Sequence, residues 1–171
     1  MALSEKKVLM VVAERDFSDE DYDRVKKVLE AKGIKVTTGS SHIGEIRGVK
    51  GGSARSTVDV DSVKYYDYDA LIFIGGPGAR RFIDHEKVVK LAKDAEYKVL
   101  GAIGVGPAIL AKAEVLKGKK ATADRSVADF LESKGSTFTA QPVQVDGKLV
   151  TAEGSKYAEQ FANAVLEALQ K

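Results

Sequence analysis

Val99-Leu100-Gly101-Ala102-Ile103-Gly104-Val105-Gly106-Pro107-Ala108-Ile109-Leu110-Ala111 is an apolar run, then a glycine-rich turn, then the start of a helix. Unbroken apolar character marks a strand covered on both faces. Pro107 suits a first helical turn, where its missing N–H would have had no partner anyway. Strand, sharp turn and helix in this order is the arrangement with which many hydrolases raise a nucleophile above a sheet. The apex here is Gly104, which has no side chain.

Outward from this stretch the same alternation recurs. Residues 7–13 form a continuous β-rich run, expected to be a central strand. Ser18 has the character of an N-cap before Asp19-Glu20-Asp21, whose carboxylates suit the positive end of a helix, and Gly33 is the stop. Residues 35–38 return as a second strand. Residues 40–60 break into short extended pieces punctuated by Gly44, Gly48, Gly51 and Gly52, which predicts a small β-hairpin appendage. Residues 70–74 are a buried strand ending at Gly75-Gly76-Pro77-Gly78, and residues 85–95 an amphipathic helix. After the opening stretch come a short strand at 119–123, a helix at 126–134 and a hairpin at 142–151 turning on Asp146-Gly147. The last helix, 155–169, carries Tyr157, Phe161, Val165 and Leu169 on one face. Such a βαβ series predicts one α/β domain over residues 1–171, a three-layer sandwich with a mostly parallel central sheet.

Composition narrows the function classes. A chain of 171 residues, 44% hydrophobic and 30% charged, suffices for one well-buried core. Its 27 basic and 25 acidic residues are interleaved, so no basic stripe points to nucleic acid or to a membrane surface. The first residues lack a signal design and no apolar run approaches a membrane span, so a cytoplasmic location is expected. With no cysteine, disulfides, thiolate metal sites and cysteine nucleophiles are all excluded. His42 and His85 are the remaining imidazoles. Neither has a second histidine or a carboxylate at metal-ligand spacing, so both read as ordinary surface residues, and neither metal nor cofactor is expected.

Folds of this kind bind ligands beyond the C-terminal ends of their strands. Ala13-Glu14, Gly75-Gly76 and Gly104-Val105-Gly106 should meet there. Glycines let the backbone approach a ligand closely, and free N–H groups at a helix start favour an anion or a developing oxyanion. The same glycines also have a purely steric reading as turn residues.

Ala70-Leu71-Ile72-Phe73-Ile74-Gly75-Gly76, the run from Gly101 to Ala111, and Val115-Leu116-Lys117-Gly118-Lys119-Lys120-Ala121-Thr122 together resemble the PfpI-type intracellular proteases and the Parkinson-associated deglycases. The resemblance covers nearly the whole chain, including Val143-Gln144-Val145-Asp146-Gly147-Lys148-Leu149-Val150-Thr151. It implies a class I glutamine amidotransferase-like, flavodoxin-like fold and a homodimer or larger homo-oligomer. In that family a cysteine stands at the turn, where this chain has Gly104. The protease branch follows it with a histidine, where this chain has Val105, and the acidic third member falls near Arg80. A further acid, which in the family touches the cysteine, aligns best with Ser18, with Glu14, Asp16 or Asp19 reached by one insertion. The resemblance also implies an oxyanion hole made by the N–H groups of Gly76 and Val105.

The expected small-molecule pocket is therefore bounded by Ser18, Gly75, Gly76, Gly104, Val105, Gly106 and Ala123. Two function classes follow. One is a non-catalytic member, naturally diverged, inactivated or engineered, that keeps the pocket and the oxyanion-hole backbone. The other is a repurposed or designed enzyme in which Glu14 or Asp124, its pKa raised by partial burial, is the general base. Asp124 also has a plain structural reading as an N-cap to the helix at Ser126. Protease, deglycase or glyoxalase activity of the cysteine type is the least favoured, because it needs a thiolate.

Overall fold

In β1 (Lys7–Val11), Val8 and Met10 join one buried cluster while Leu9 and Val11 join another, so a run that is apolar throughout serves both faces of the sheet. The same division holds in β7 (Ala70–Phe73), between Ala70 and Ile72 on one face and Leu71 and Phe73 on the other, and in β8 (Val99–Ile103). These observations come from a computed structural model that describes residues 2–171.

The remaining strands are β2 (Arg15–Phe17), β3 (Lys35–Ser40), β4 (Gly44–Gly48), β5 (Ser53–Ser56), β6 (Val58–Asp59), β9 (Lys120–Ala121), β10 (Thr137–Phe138), β11 (Val143–Asp146) and β12 (Leu149–Ala152). The helices are α1 (Asp19–Ala31), α2 (Arg80–Ile83), α3 (Glu86–Asp94), α4 (Pro107–Lys112), α5 (Ala128–Ser133) and α6 (Ala158–Leu169). Seven strands form the main sheet in the order β11-β12-β8-β7-β1-β3-β6. Every pair is parallel except β11 with β12, the expected Asp-Gly hairpin at one edge. Tyr22, Val25 and Leu29 of α1 and Phe161, Val165 and Leu169 of α6 cover one face. Val88 and Leu91 of α3, Ile109 and Leu110 of α4 and Leu131 of α5 cover the other. The three-layer α/β sandwich is as the sequence predicts.

The appended hairpin is β4 with β5, and β2 extends it to a three-stranded sheet. Ile46, fully buried in the cluster that contains Phe17 and Tyr22, anchors it. Several short elements, the unpredicted strands β2 and β10 among them, differ from the sequence reading. The strand near residue 120 pairs only with β10, apart from the main sheet, and α2 intervenes between Gly78 and the helix expected at 85. Among the described residues, no helix is long and apolar enough to cross a membrane.

The sheet places the site. From β1 the chain passes to β3 on one side, whereas β7 and β8 build the other. Connections leaving β1 and β7 thus diverge and open a crevice at the strand ends. The start of α1 and the turns after β7 and β8 border it.

Candidate functional site

The crevice is a cleft of about 390 Å³. Backbone bonds fix its walls. The Ser18 N–H donates to Gly75 O at 2.8 Å, seating the start of α1 on the end of β7. The Gly104 N–H donates to Ala152 O at 3.0 Å, and its carbonyl accepts from the Asp124 N–H at 2.7 Å. The Ser18 hydroxyl accepts from the Asp21 N–H at 3.3 Å, the N-cap its position predicts, and lies 3.2 Å from the Ser155 hydroxyl.

Gly76 and Gly104 both have positive φ, 102° and 68°. At Gly76 a Cβ would lie 2.3 Å from the Ser18 nitrogen, so α1 can dock only on glycine there. At Gly104 a Cβ would meet only Gly75 Cα at 3.6 Å and Asp21 Oδ2 at 3.7 Å, which is ordinary contact. Space is therefore open above the apex of the turn. The N–H groups of Gly76 and Val105, both at the cleft, have no acceptor among the described residues.

The acid facing Gly104 is Asp21. Its residue is 2% exposed, and its Oδ1 is buried without a hydrogen-bond partner. Burial pushes its carboxyl above the usual range, against the neighbouring Ser155 and Ser18 hydroxyls, which act to lower it. Of the positions the resemblance offered, Ser18 caps α1, and none of Glu14, Asp16 and Asp19 comes within 4 Å of a Cβ at Gly104. Sequence reasoning passed over Asp21, although it is in helical register with Val25 and Leu29, the buried stripe of α1.

The two carboxylates expected to act as bases are placed differently. Glu14 is exposed and lies outside the cleft, in a separate depression with Ser41, Arg81 and His85, where the Ser41 hydroxyl donates to it at 3.4 Å. Asp124 does line the cleft, but its carboxylate accepts from the Ser126 N–H at 2.9 Å and the Ser126 hydroxyl at 2.6 Å. Those bonds, with Arg80 nearby, hold its pKa below the ordinary value rather than above it. It is a capping residue. Gly75, Gly106 and Ala123, expected at the wall, are buried behind it. Ser18, Gly76, Gly104 and Val105 do border the cleft.

The rim is made by polar side chains already bonded to their neighbours. Lys50 pairs with Glu20, and Arg80 donates to the Ser126 hydroxyl at 2.7 Å. Asp19 accepts from the N–H groups of Lys50 and Gly52, each at 2.8 Å, holding the turn between β4 and β5 against α1. Partial burial acts to raise the Asp19 carboxyl, but these N–H groups and the Lys50 ammonium bring it below its ordinary value. Away from the cleft, His85 pairs with Asp61 at 2.6 Å.

Residues 6–168 match the DJ-1/PfpI family. The chain belongs to that family. An uncharacterized protein of Methanocaldococcus jannaschii is 36% identical over 96% of this chain and 83% of its own length. A deglycase of Pyrococcus horikoshii is 32% identical over 85% of this chain and 89% of its own. Among solved structures, a ThiJ/PfpI domain protein of Brachyspira murdochii superposes with a TM-score of 0.93 at 30% identity, covering 96% of both chains. The family's α/β fold is thus the fold described above, with Gly104 on the turn after β8.

Proposed function

We propose that this chain is a DJ-1/PfpI-family protein without thiol chemistry, whose cleft holds a small carbonyl- or carboxylate-bearing molecule. By resemblance to the family, Gly104 takes the place of the nucleophilic cysteine, Val105 that of the following histidine, and Arg80 lies near the place of the acidic member. Peptidase, deglycase and glyoxalase steps of the cysteine type begin with a thiolate on a carbonyl carbon, and the chain contains no cysteine. The loss has the same functional meaning whether it arose by divergence or by deliberate thiol removal. The observation that carries the reading is the open space at Gly104, bordered by Asp21. The unpaired N–H groups of Gly76 and Val105 at the same cleft are donors suited to a carbonyl or carboxylate oxygen.

Amide chemical shifts test this reading. Titration with acetone, acetamide and acetate should give saturable shifts at Gly76, Gly104 and Val105, with no turnover of peptides, glycated amines or glyoxals. Turnover by the wild-type chain that is lost on blocking the cleft would overturn it, as would shifts confined to other surfaces.

One observation favours a second reading, in which the cleft performs proton transfer. Asp21 is buried with a raised pKa, the condition for a carboxylate base working near neutral pH. Asp21 therefore takes the part that the sequence offered to Glu14 or Asp124. Deuterium uptake at the α-carbon of a small ketone in heavy water, lost in Asp21→Asn, is the expected sign. Equal uptake in the variant would exclude it.

A further inference from the structure

Asp21 presents a physical problem that the fold alone does not solve. A carboxylate oxygen buried without a partner is costly, and its neighbours do not supply an obvious remedy. The charges around it are few. Glu20 and Arg24 stand on its own helix, and Arg24 is turned to Ser155 O at 3.3 Å. The turns after β7 and β8 offer it only glycines, Gly75 and Gly104, and the segment before α6 offers the Ser155 hydroxyl. At the rim, Lys50 is paired with Glu20, while Arg80 is bound to Ser126 beside Asp124. Two cations, Lys50 and Arg80, line the cleft against four acids, Asp19, Glu20, Asp21 and Asp124.

We propose that the cleft takes up a short monocarboxylate together with one proton, with the proton held on Asp21. This rests on the small-molecule reading of the cleft above. The donors on the page suit a monoanion: the N–H groups of Gly76 and Val105, the Ser18 and Ser155 hydroxyls, and the O–H of a protonated Asp21. An ionised Asp21 would repel the guest; a neutral one donates to it from Oδ2, the oxygen that faces Gly104. Anion and proton together add no net charge to a cleft whose acids already outnumber its cations, whereas a phosphate dianion would add two negative charges. The open space at Gly104 admits the carboxylate head, and the cleft beyond it leaves room for a short tail. Proton balance is simple. Where Asp21 is ionised in the free protein, one carboxylate and one proton enter and both leave on release.

Isothermal titration of the intact chain tests the coupling. Acetate, propionate and lactate are the probes, with phosphate and neutral acetone for comparison, from about pH 5 to about pH 9, in buffers of different ionisation enthalpy. Above the pH at which Asp21 ionises, the monocarboxylates should bind with uptake of one proton, and their dissociation constants should rise by about tenfold per pH unit. Phosphate should give no saturable heat. Asp21→Asn, which keeps a neutral donor of the same shape, should retain binding and lose both the proton uptake and the pH dependence. Carboxylate binding at about pH 9 without proton uptake would overturn the proposal, as would uptake that survives in Asp21→Asn. Acetone binding without carboxylate binding would overturn it and leave the small-molecule reading intact. Silence from every probe would remove both.

Discussion

At φ 68°, Gly104 occupies the left-handed region, which costs a residue bearing a Cβ about 1–2 kcal/mol. Packing adds no penalty, because the nearest atoms to an added Cβ are 3.6 and 3.7 Å away. Gly104→Cys should therefore fold and lose about 2–8 °C in Tm, with a thiol that iodoacetamide modifies in the open cleft. Peptide hydrolysis should stay absent, since Val105 offers no base. Efficient proteolysis would show that the base comes from elsewhere. For Asp21 the sign of the pH effect follows from its raised pKa. The unfolded chain ionises near the ordinary value of 3.8, before the native state does, so this residue's stabilising contribution is complete below that pH. The contribution is then lost as pH rises through the native pKa. Asp21→Asn should accordingly be more stable than wild type at neutral pH, with the difference shrinking toward acid, as urea unfolding at several pH values will show. A variant less stable at neutral pH would mean that the native state favours the ionised carboxyl.

Elements in this chain are set by two periods that the sequence displays openly. The apolar runs at β1, β7 and β8 each supply both faces of the sheet, and the stripe Phe161, Val165 and Leu169 seats α6. Short pieces escaped that reading for the same reason. With four residues α2 shows scarcely one helical turn, and β10, with two, shows no alternation. Close packing between elements is visible only in three dimensions. At Gly101, in the middle of β8, a Cβ would stand 2.9 Å from Phe161 Cζ and 3.3 Å from Val165 Cγ2. Gly101→Val should lift α6 from the sheet and cost about 1–3 kcal/mol, read as a lower urea midpoint. An unchanged midpoint would mean that Phe161 moves aside freely.

For the whole molecule, the family resemblance implies self-association. Sedimentation at micromolar concentration should give a mass above the 18.4 kDa of one chain, with little response to salt because the charges are mixed. A species of single-chain mass would reject that expectation. The sequence by itself determined the layered α/β fold, since runs and stripes of apolar residues dictate what must be covered and on how many faces. It also marked the turn after β8 and the absence of any thiol, because both are properties of local residue identity. Which acid serves the cleft was decided by tertiary structure alone. Glu14, Asp19, Glu20, Asp21 and Asp124 are alike as residues, yet Glu14 falls outside the cleft, Asp19 and Glu20 are bound to the turn between β4 and β5, and Asp124 caps its own segment. Only the docking of α1 on the end of β7 brings Asp21 to Gly104, out of water and without a partner for Oδ1. Burial and neighbouring charge set a carboxyl's chemistry, and both are properties of the packed chain rather than of its residues in order.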